Sequence, residues 1–332
     1  MMNEQNEPAA KKRIVVTGLG AITPLGNSVK ETWEAVREGK SGAGPITRFD
    51  TTEYATKIAC EVKGFDPKNW MDGKEARKMD IFAQYAVAAS IEAMRDAGLL
   101  SNSSLAGSFD PERTGVILGV GIGGFTTTQD SLYTLFEKGP SRIPPMTIPK
   151  LIANIGPGNV AIVLGLHGPC LTVTTACSSG TDAIGTALLM LRSGMADIIL
   201  AGGAEATIIP FGIGSFNVIQ ALSTKYNDRP TEASRPFDKN RDGFVMGEGS
   251  GVLVLETLEH AISRGARIYA ELSGYGATCD AFHLTAPHPE GTGGAEAMKL
   301  AMQDAGLSPR DIDYVNAHGT STPINDPVET LA

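Results

Sequence analysis

EAMRDAGL, residues 92–99, returns as LAMQDAGL at residues 300–307, with six of eight positions identical. Each copy ends a predicted helix and is followed by an apolar run, RTGVILGVG (113–121) in the first case and IDYVNAHG (312–319) in the second. Upstream, VVTGLGA (15–21) is echoed by ELSGYGA (271–277), an apolar strand pattern that runs into a Gly-x-Gly-Ala turn. The same strand–turn–helix–strand order therefore occurs twice, with a longer insertion in the first copy. A repeat of that size implies two duplicated α/β halves joined near residues 260–268.

The short apolar runs RIVVTGLGA, RTGVILGVGIGG, ADIILAGGAEA and GVLVLETL read as buried strands ending in tight turns. Helical patterns such as DIFAQYAVAASIEAMRDAGL and AIGTALLMLRSG lie between them. Strands alternating with helices predict an α/β architecture with a largely parallel sheet. The expected division is a disordered tail over residues 1–12, a first half over 13–262, and the start of a second half over 263–332. The second copy stops 25 residues after Leu307, so the second half is expected to be incomplete and the chain a fragment of a longer product.

Composition narrows the function. The 332 residues are 42% hydrophobic and 20% charged, and the formal charge is 28 − 37 = −9. An acidic chain repels phosphates, which argues against general nucleic-acid binding. Cys60, Cys170, Cys177 and Cys279 lie far apart with no CxxC spacing, as expected of reduced thiols in a cytoplasm. The first residues, MMNEQNEPAAKKR, lack the apolar core of a signal peptide. No apolar stretch approaches the ~20 residues of a membrane span.

In TVTTACSSGTDA (172–183) a β-branched run reads as a strand and is followed at once by small residues. Ile184, Ala187, Leu188 and Leu191 then recur at helical spacing, which puts Cys177 at a strand-to-helix turn. A helix N-terminus favours a thiolate through its unpaired N–H groups and its dipole. The same N–H groups suit a developing oxyanion, and Ser178, Ser179 and Gly180 are small enough to let a substrate approach. On placement alone, a nucleophile and a buried small hydrophobe both remain open.

Of the five histidines, His260 falls on a charged helix and reads as solvated, while His167, His283 and His288 read as loop residues. His318 follows the apolar run IDYVNA and precedes GTSTP, so it is expected at a strand's C-terminal end, where open α/β sheets place their ligand sites. Thr320 and Thr322 add hydroxyls just beyond it. A turn histidine with no chemical role is the competing reading.

Three motifs, TACSSGTDAIGTAL around Cys177, RPFDKNRDGFVMGEGSGVLVLE (235–256) and NAHGTSTPINDPVET (316–330), together resemble the β-ketoacyl-acyl carrier protein synthases, and most closely the elongating type II condensing enzymes of fatty-acid synthesis. The likeness runs from about Arg13 to the last residue. It implies the thiolase-like fold of two duplicated α/β halves and an acyltransferase acting as a cytoplasmic homodimer. Cys177 would carry the acyl chain taken from acyl carrier protein as a thioester. Malonyl-loaded carrier would then lose carbon dioxide, and its carbanion would attack that thioester in a Claisen condensation. His318 matches the first of the family's two catalytic histidines, which stabilise the enolate oxygen; Thr320 and Thr322 match the threonines that contact the pantetheine arm. Neither a metal nor an organic cofactor is implied. The family's second histidine and its pocket-gating loop correspond to positions beyond residue 332, so activity is expected of the full-length product. Two rivals share these motifs, a polyketide ketosynthase and a non-catalytic chain-length subunit; such subunits usually lack the nucleophile, which the intact TACSSG argues against.

Other motifs look like something else. GVGIGG (119–124) satisfies the dinucleotide pattern letter for letter but does not open a βαβ unit, and a tight turn lining a pocket is the better reading. In the resembled family it borders the acyl chain, with Ile122 as a wall residue; Phe216 would form another wall, or simply pack in the core. DKNRDGFVMGEG (238–249) begins like a calcium loop, but its twelfth place is Gly249, so a turn held by carboxylate–arginine pairs is expected instead. GKEARKMD (73–80) puts Lys74, Arg77 and Lys78 on one helical face. Such a face is either simply solvated or suited to steering an acidic carrier protein, whose docking surface lies near this region in the resembled family.

Overall fold

The computed structural model describes residues 11–101, 104–105 and 109–332. Residues 1–10 of the expected tail lie outside them, and Lys11, just after, is held by Asp304 at 2.6 Å. One six-stranded sheet organises the chain: β1 (Ile14–Ile22), β2 (Thr114–Gly119), β3 (Cys170–Val173), β4 (Ile198–Glu205), β5 (Gly249–Thr257) and β6 (Ala270–Leu272), in the order β6-β1-β5-β4-β2-β3. Helix α1 (Ile81–Asp96) packs one face, burying Phe82, Tyr85, Val87, Ile91 and Met94. Helix α2 (Ser179–Arg192) packs the other through Ala187, Leu188 and Leu191. Helix Ile155–Leu164 covers α1 in turn, which is why α1 is apolar on nearly every side.

The repeat is visible atom by atom. A Cβ on Gly18 would fall 2.3 Å from the carbonyl oxygen of Ala93, and one on Gly20 1.9 Å from that of Ala89. In the second copy, a Cβ on Gly274 or Gly276 would fall 2.3 or 2.2 Å from the oxygen of Ala301 or Ala297, on helix α3 (Thr292–Ala305). The aspartate of each DAGL accepts the N–H of the residue between the glycines: Asp96 from Leu19 at 2.9 Å, Asp304 from Tyr275 at 3.0 Å. Each helix stops at a left-handed glycine, Gly98 at φ 71° and Gly306 at φ 70°, and the next leucine's N–H returns to Met94 or Met302. Ala, Asp, Gly and Leu of the shared octapeptide therefore do the same work in both copies.

Several expectations are corrected. The sheet is mixed rather than largely parallel, since only β2–β3 and β2–β4 are parallel while β4–β5, β1–β5 and β1–β6 are antiparallel. A parallel neighbour needs a crossover that returns to the same end of the sheet; the long connection after β4 instead builds the site and enters β5 from the opposite end. The strand before Cys177 ends at Val173, leaving Thr174 and Thr175 to the turn. IDYVNA forms no strand: it is irregular and exposed, with Tyr314 79% accessible, and no partner strand among the described residues supplies its hydrogen bonds. His260 is not solvated, for its Nδ1 lies 2.6 Å from the buried Glu256. The basic face of 74–78 is one turn of helix, Gly73–Ala76, with Arg77 at its C-cap and Lys78 paired to Glu75 at 2.7 Å. Among the described residues no helix is long and apolar enough to cross a membrane.

Because a methyl at Gly20 collides with helix backbone rather than with a movable side chain, Gly20→Ala is expected to destabilise the protein by about 1–3 kcal/mol or more. Gly44→Ala, where a Cβ meets open space, should stay within about 0.5 kcal/mol. Denaturant unfolding of the two variants checks the difference.

Candidate active site

Glycines also seat the reactive turn. A Cβ on Gly119, the last residue of β2, would lie 2.1 Å from the backbone of Ser179, and Gly203 in β4 lies against Gly180. With no side chains between them, the first turn of α2 rests directly on the strand ends. The 3₁₀ turn Ala176–Ser178 leads into it, with Ala176 at φ 54°. A non-glycine residue there costs about 1–2 kcal/mol, and such strain persists only where surrounding bonds hold it. Here Ser179 Oγ accepts from Thr175 N at 2.9 Å and donates to Ala176 O at 2.6 Å, while Ser178 Oγ lies 2.9 Å from Thr175 O. Ser179 and Gly180 are thus small because the turn must be fastened and docked, beyond leaving a substrate room.

The turn exposes Cys177 at the edge of a cavity of about 990 Å³. Ile22, Pro24, Leu25, Ile122, Phe216, Phe244 and Met246 give that cavity its apolar wall. Ile122 and Phe216, both singled out in the sequence, therefore share one space with Cys177; Phe216 also stacks edge-on against Phe244 at 5.6 Å. Two carboxylates border the cavity, and both face protein donors. Glu248 takes Arg48 through both oxygens, Val62 N at 2.8 Å and Tyr85 Oη at 3.3 Å. Glu205 accepts from Ile122 N at 2.7 Å and Gly123 N at 3.3 Å, although burial still holds its carboxyl above the usual range. A space of this size with its charges satisfied suits a long apolar ligand.

His318 reaches Cys177 from the second half. It sits in an irregular segment rather than at a strand end, and its N–H and that of Gly319 are held by the two oxygens of Glu329. The interaction of the Cys177 thiol with the His318 ring is the largest influence on both groups. It holds the thiol below its ordinary value against the opposing effect of burial, and it raises the imidazole, helped by the charges of Cys177, Glu329 and Asp326. Cys60 borders the same cavity, yet burial pushes its thiol up. Two thiols in one space are therefore driven in opposite directions, Cys177 toward the thiolate and Cys60 away from it.

Thr320 and Thr322 lie just past His318, their hydroxyls 2.8 Å apart, and Arg241 Nε fastens the segment by donating to Thr322 O at 2.9 Å. Neither lines the Cys177 cavity. Lys74, Arg77 and Lys78 are exposed on a separate surface. Sequence reasoning missed Asp326, a buried carboxylate that accepts Phe237 N at 2.7 Å and Ser321 N at 3.1 Å and joins the 235–243 turn to the His318 segment. It also missed Glu329, whose position three after Asp326 on helix Asn325–Leu331 was the available signal. The calcium-like loop is a turn held as expected, by Arg235–Asp238 at 3.1 Å and Arg241–Asp326 at 3.5 Å, and Asp242 accepts Ser223 Oγ, Thr224 N and Lys225 N.

Removing His318 leaves Cys177 with burial, which raises a thiol. In His318→Ala the pH midpoint for iodoacetamide alkylation of Cys177 is expected to rise, read by peptide-resolved mass spectrometry over a pH series. An unchanged midpoint would remove His318 from the thiol's surroundings.

Known proteins are similar to this chain in both sequence and fold. The profile of the β-ketoacyl synthase N-terminal domain matches residues 11–261, and that of the C-terminal domain matches residues 269–332. The chain is 50% identical over 322 residues to 3-oxoacyl-[acyl-carrier-protein] synthase 2 of Synechocystis sp., covering 97% of itself and 76% of that relative. It is 48% identical over 320 residues to the Vibrio cholerae protein of the same name, covering 96% of itself and 76% of the relative. Among solved structures, the ishigamide ketosynthase/chain length factor superposes with a TM-score of 0.88 at 38% identity, over 97% of this chain and 77% of that one. A type II polyketide ketosynthase bound to its acyl-carrier protein superposes with a TM-score of 0.84 at 32% identity, over 97% and 76%. With a thiolase-like fold, a strained cysteine turn paired to a histidine, and matches over nearly its whole length, the chain belongs to the β-ketoacyl synthase family.

Proposed function

We propose that this protein is a condensing acyltransferase that elongates acyl chains on acyl carrier protein in fatty-acid synthesis. The observation that carries the reading is the Cys177 thiol, lowered by His318 at the edge of an apolar cavity. In the first step the thiolate attacks the thioester carbonyl of the acyl-loaded carrier, a C–S bond to Cys177 forms, and the pantetheine thiolate leaves. The acyl chain then lies in the cavity beside Ile122 and Phe216. In the second step the malonyl-loaded carrier loses carbon dioxide, and the electron pair of the broken C–C bond becomes an enolate. His318 donates a hydrogen bond to the enolate oxygen, and Thr320 and Thr322 hold the pantetheine arm. The enolate carbon attacks the Cys177 thioester, a C–C bond forms, and the Cys177 thiolate is released.

The names of the relatives at about half identity support the fatty-acid reading over a polyketide one, and the presence of both Cys177 and His318 speaks against a non-catalytic subunit. A homodimer fits the sheet, because β3 ends it as an exposed edge, with Leu171 45% accessible. Free thiols fit a cytoplasmic setting. The division near residue 263 into two halves follows the repeated glycine–helix contact. Lys74, Arg77 and Lys78 would steer the carrier, with Lys74 and Arg77 contributing more because Lys78 is paired to Glu75.

Incubation with an acyl-carrier thioester should add the acyl mass to the wild type and not to Cys177→Ala; equal labelling of both would sink the nucleophile assignment. The double variant Lys74→Glu/Arg77→Glu is expected to raise KM for the carrier substrate several-fold with kcat little changed. That penalty should shrink at high salt, as surface steering does, and steady-state kinetics at two ionic strengths measures it.

A further inference from the structure

The second copy of the glycine motif touches the reactive turn of the first half. Tyr275, between Gly274 and Gly276, lies against α2 so closely that a Cβ added to Gly185 would fall 2.3 Å from its ring. Its hydroxyl donates to Asp182 Oδ1 at 2.7 Å. The other oxygen of Asp182 accepts from Ser178 Oγ at 2.8 Å and from Thr175 Oγ1. Thr175 and Ser178 bracket Cys177 and the strained Ala176. At the far end of α2, Arg192 donates to Asp304 Oδ2 at 2.7 Å and to Ser273 O at 2.8 Å, and Asp304 is the same carboxylate that holds Tyr275 N. One motif of the second half thus clasps the nucleophile helix at both ends.

We propose that Asp182 and Tyr275 are positioning residues for Cys177, their hydrogen bond locking the Thr175–Ser178 turn and with it the approach of the thiol to His318. The inference rests on Cys177 being the acyl acceptor. The pair keeps one donor–acceptor sense at neutral pH. Burial disfavours the Asp182 charge, but hydrogen bonds from Thr175, Tyr275 and Ser178 outweigh it and hold the carboxyl below its ordinary value. The Tyr275 phenol is pushed up to about 12 by burial and by Asp182, so it stays protonated and donates. The ionisable groups that act on the thiol and its partner are His318 on Cys177, and Cys177, Glu329 and Asp326 on His318.

Tyr275→Phe removes one hydroxyl, changes no charge and leaves the ring against Gly185. It is expected to raise the pH midpoint of Cys177 alkylation and to lower the rate of acyl transfer about 10- to 100-fold, with carrier KM unchanged. Asp182→Asn separates positioning from charge. Loss of a nearby negative charge alone lowers a thiol midpoint, whereas a loosened turn raises it; Asp182→Glu should recover part of the rate. Thermal unfolding of each variant confirms that it is folded. A midpoint that stays put in Tyr275→Phe, or falls in Asp182→Asn, would overturn the proposal. Should the wild type take no acyl group from a carrier thioester, the acyl-acceptor reading fails by itself, and the alkylation profiles still judge Tyr275 and Asp182.

Discussion

A strand glycine pressed onto the backbone of a helix is the contact on which this structure depends. Gly18 and Gly20 bring β1 so near α1 that a methyl group would strike Ala93 and Ala89, and Gly274 and Gly276 repeat the contact on α3. Close approach of this kind fixes depth and register together, because the helix has one height at which Asp96 or Asp304 can also take the intervening N–H. The same device, used at Gly119, Gly180 and Gly203, lets α2 rest on the ends of β2 and β4. The reactive turn then emerges at the carboxyl ends of parallel strands, where open α/β sheets place their ligands.

What that seat allows is a divergence between two thiols. Cys60 and Cys177 border one apolar cavity, and burial acts against the charged form of both. Of the two, only Cys177 interacts with an imidazole, so only its thiol is pulled down. The carboxylates beside it, Glu205 and Glu248, are taken up by backbone amides and by Arg48 and do not compete for His318. Supplied by the second half but held by Glu329 and by the 235–243 turn, His318 makes the site a joint product of two repeats.

Two motifs that mimic other functions are explained in the same terms. The GVGIGG turn aims its N–H groups inward as a phosphate cradle would, but Glu205 fills the place an anion would take. Asp238 and Asp242 of the calcium-like loop accept from Asn240 N, Ser223 Oγ and two further backbone amides. In each case the pattern in the letters is real and the occupant is the protein itself.

The sequence by itself determined the duplicated α/β plan, the strand cores of β1, β2, β4 and β5, the turn at Cys177 and the pairing of that residue with His318 in one family motif set. These are local or repetitive signals: glycine spacing, apolar period and octapeptide identity survive without knowledge of contacts. Strand direction was beyond it, because a buried run such as GVLVLE has the same composition whichever way it enters the sheet. So was the state of IDYVNA, since an apolar run becomes a strand only when a neighbour offers hydrogen bonds. Tertiary structure alone brought Tyr275 to Asp182, Asp326 to the 235–243 turn and Glu205 into the GVGIGG turn. Those contacts join residues as much as 93 positions apart, and the packing of distant segments, rather than any spacing in the chain, decides them.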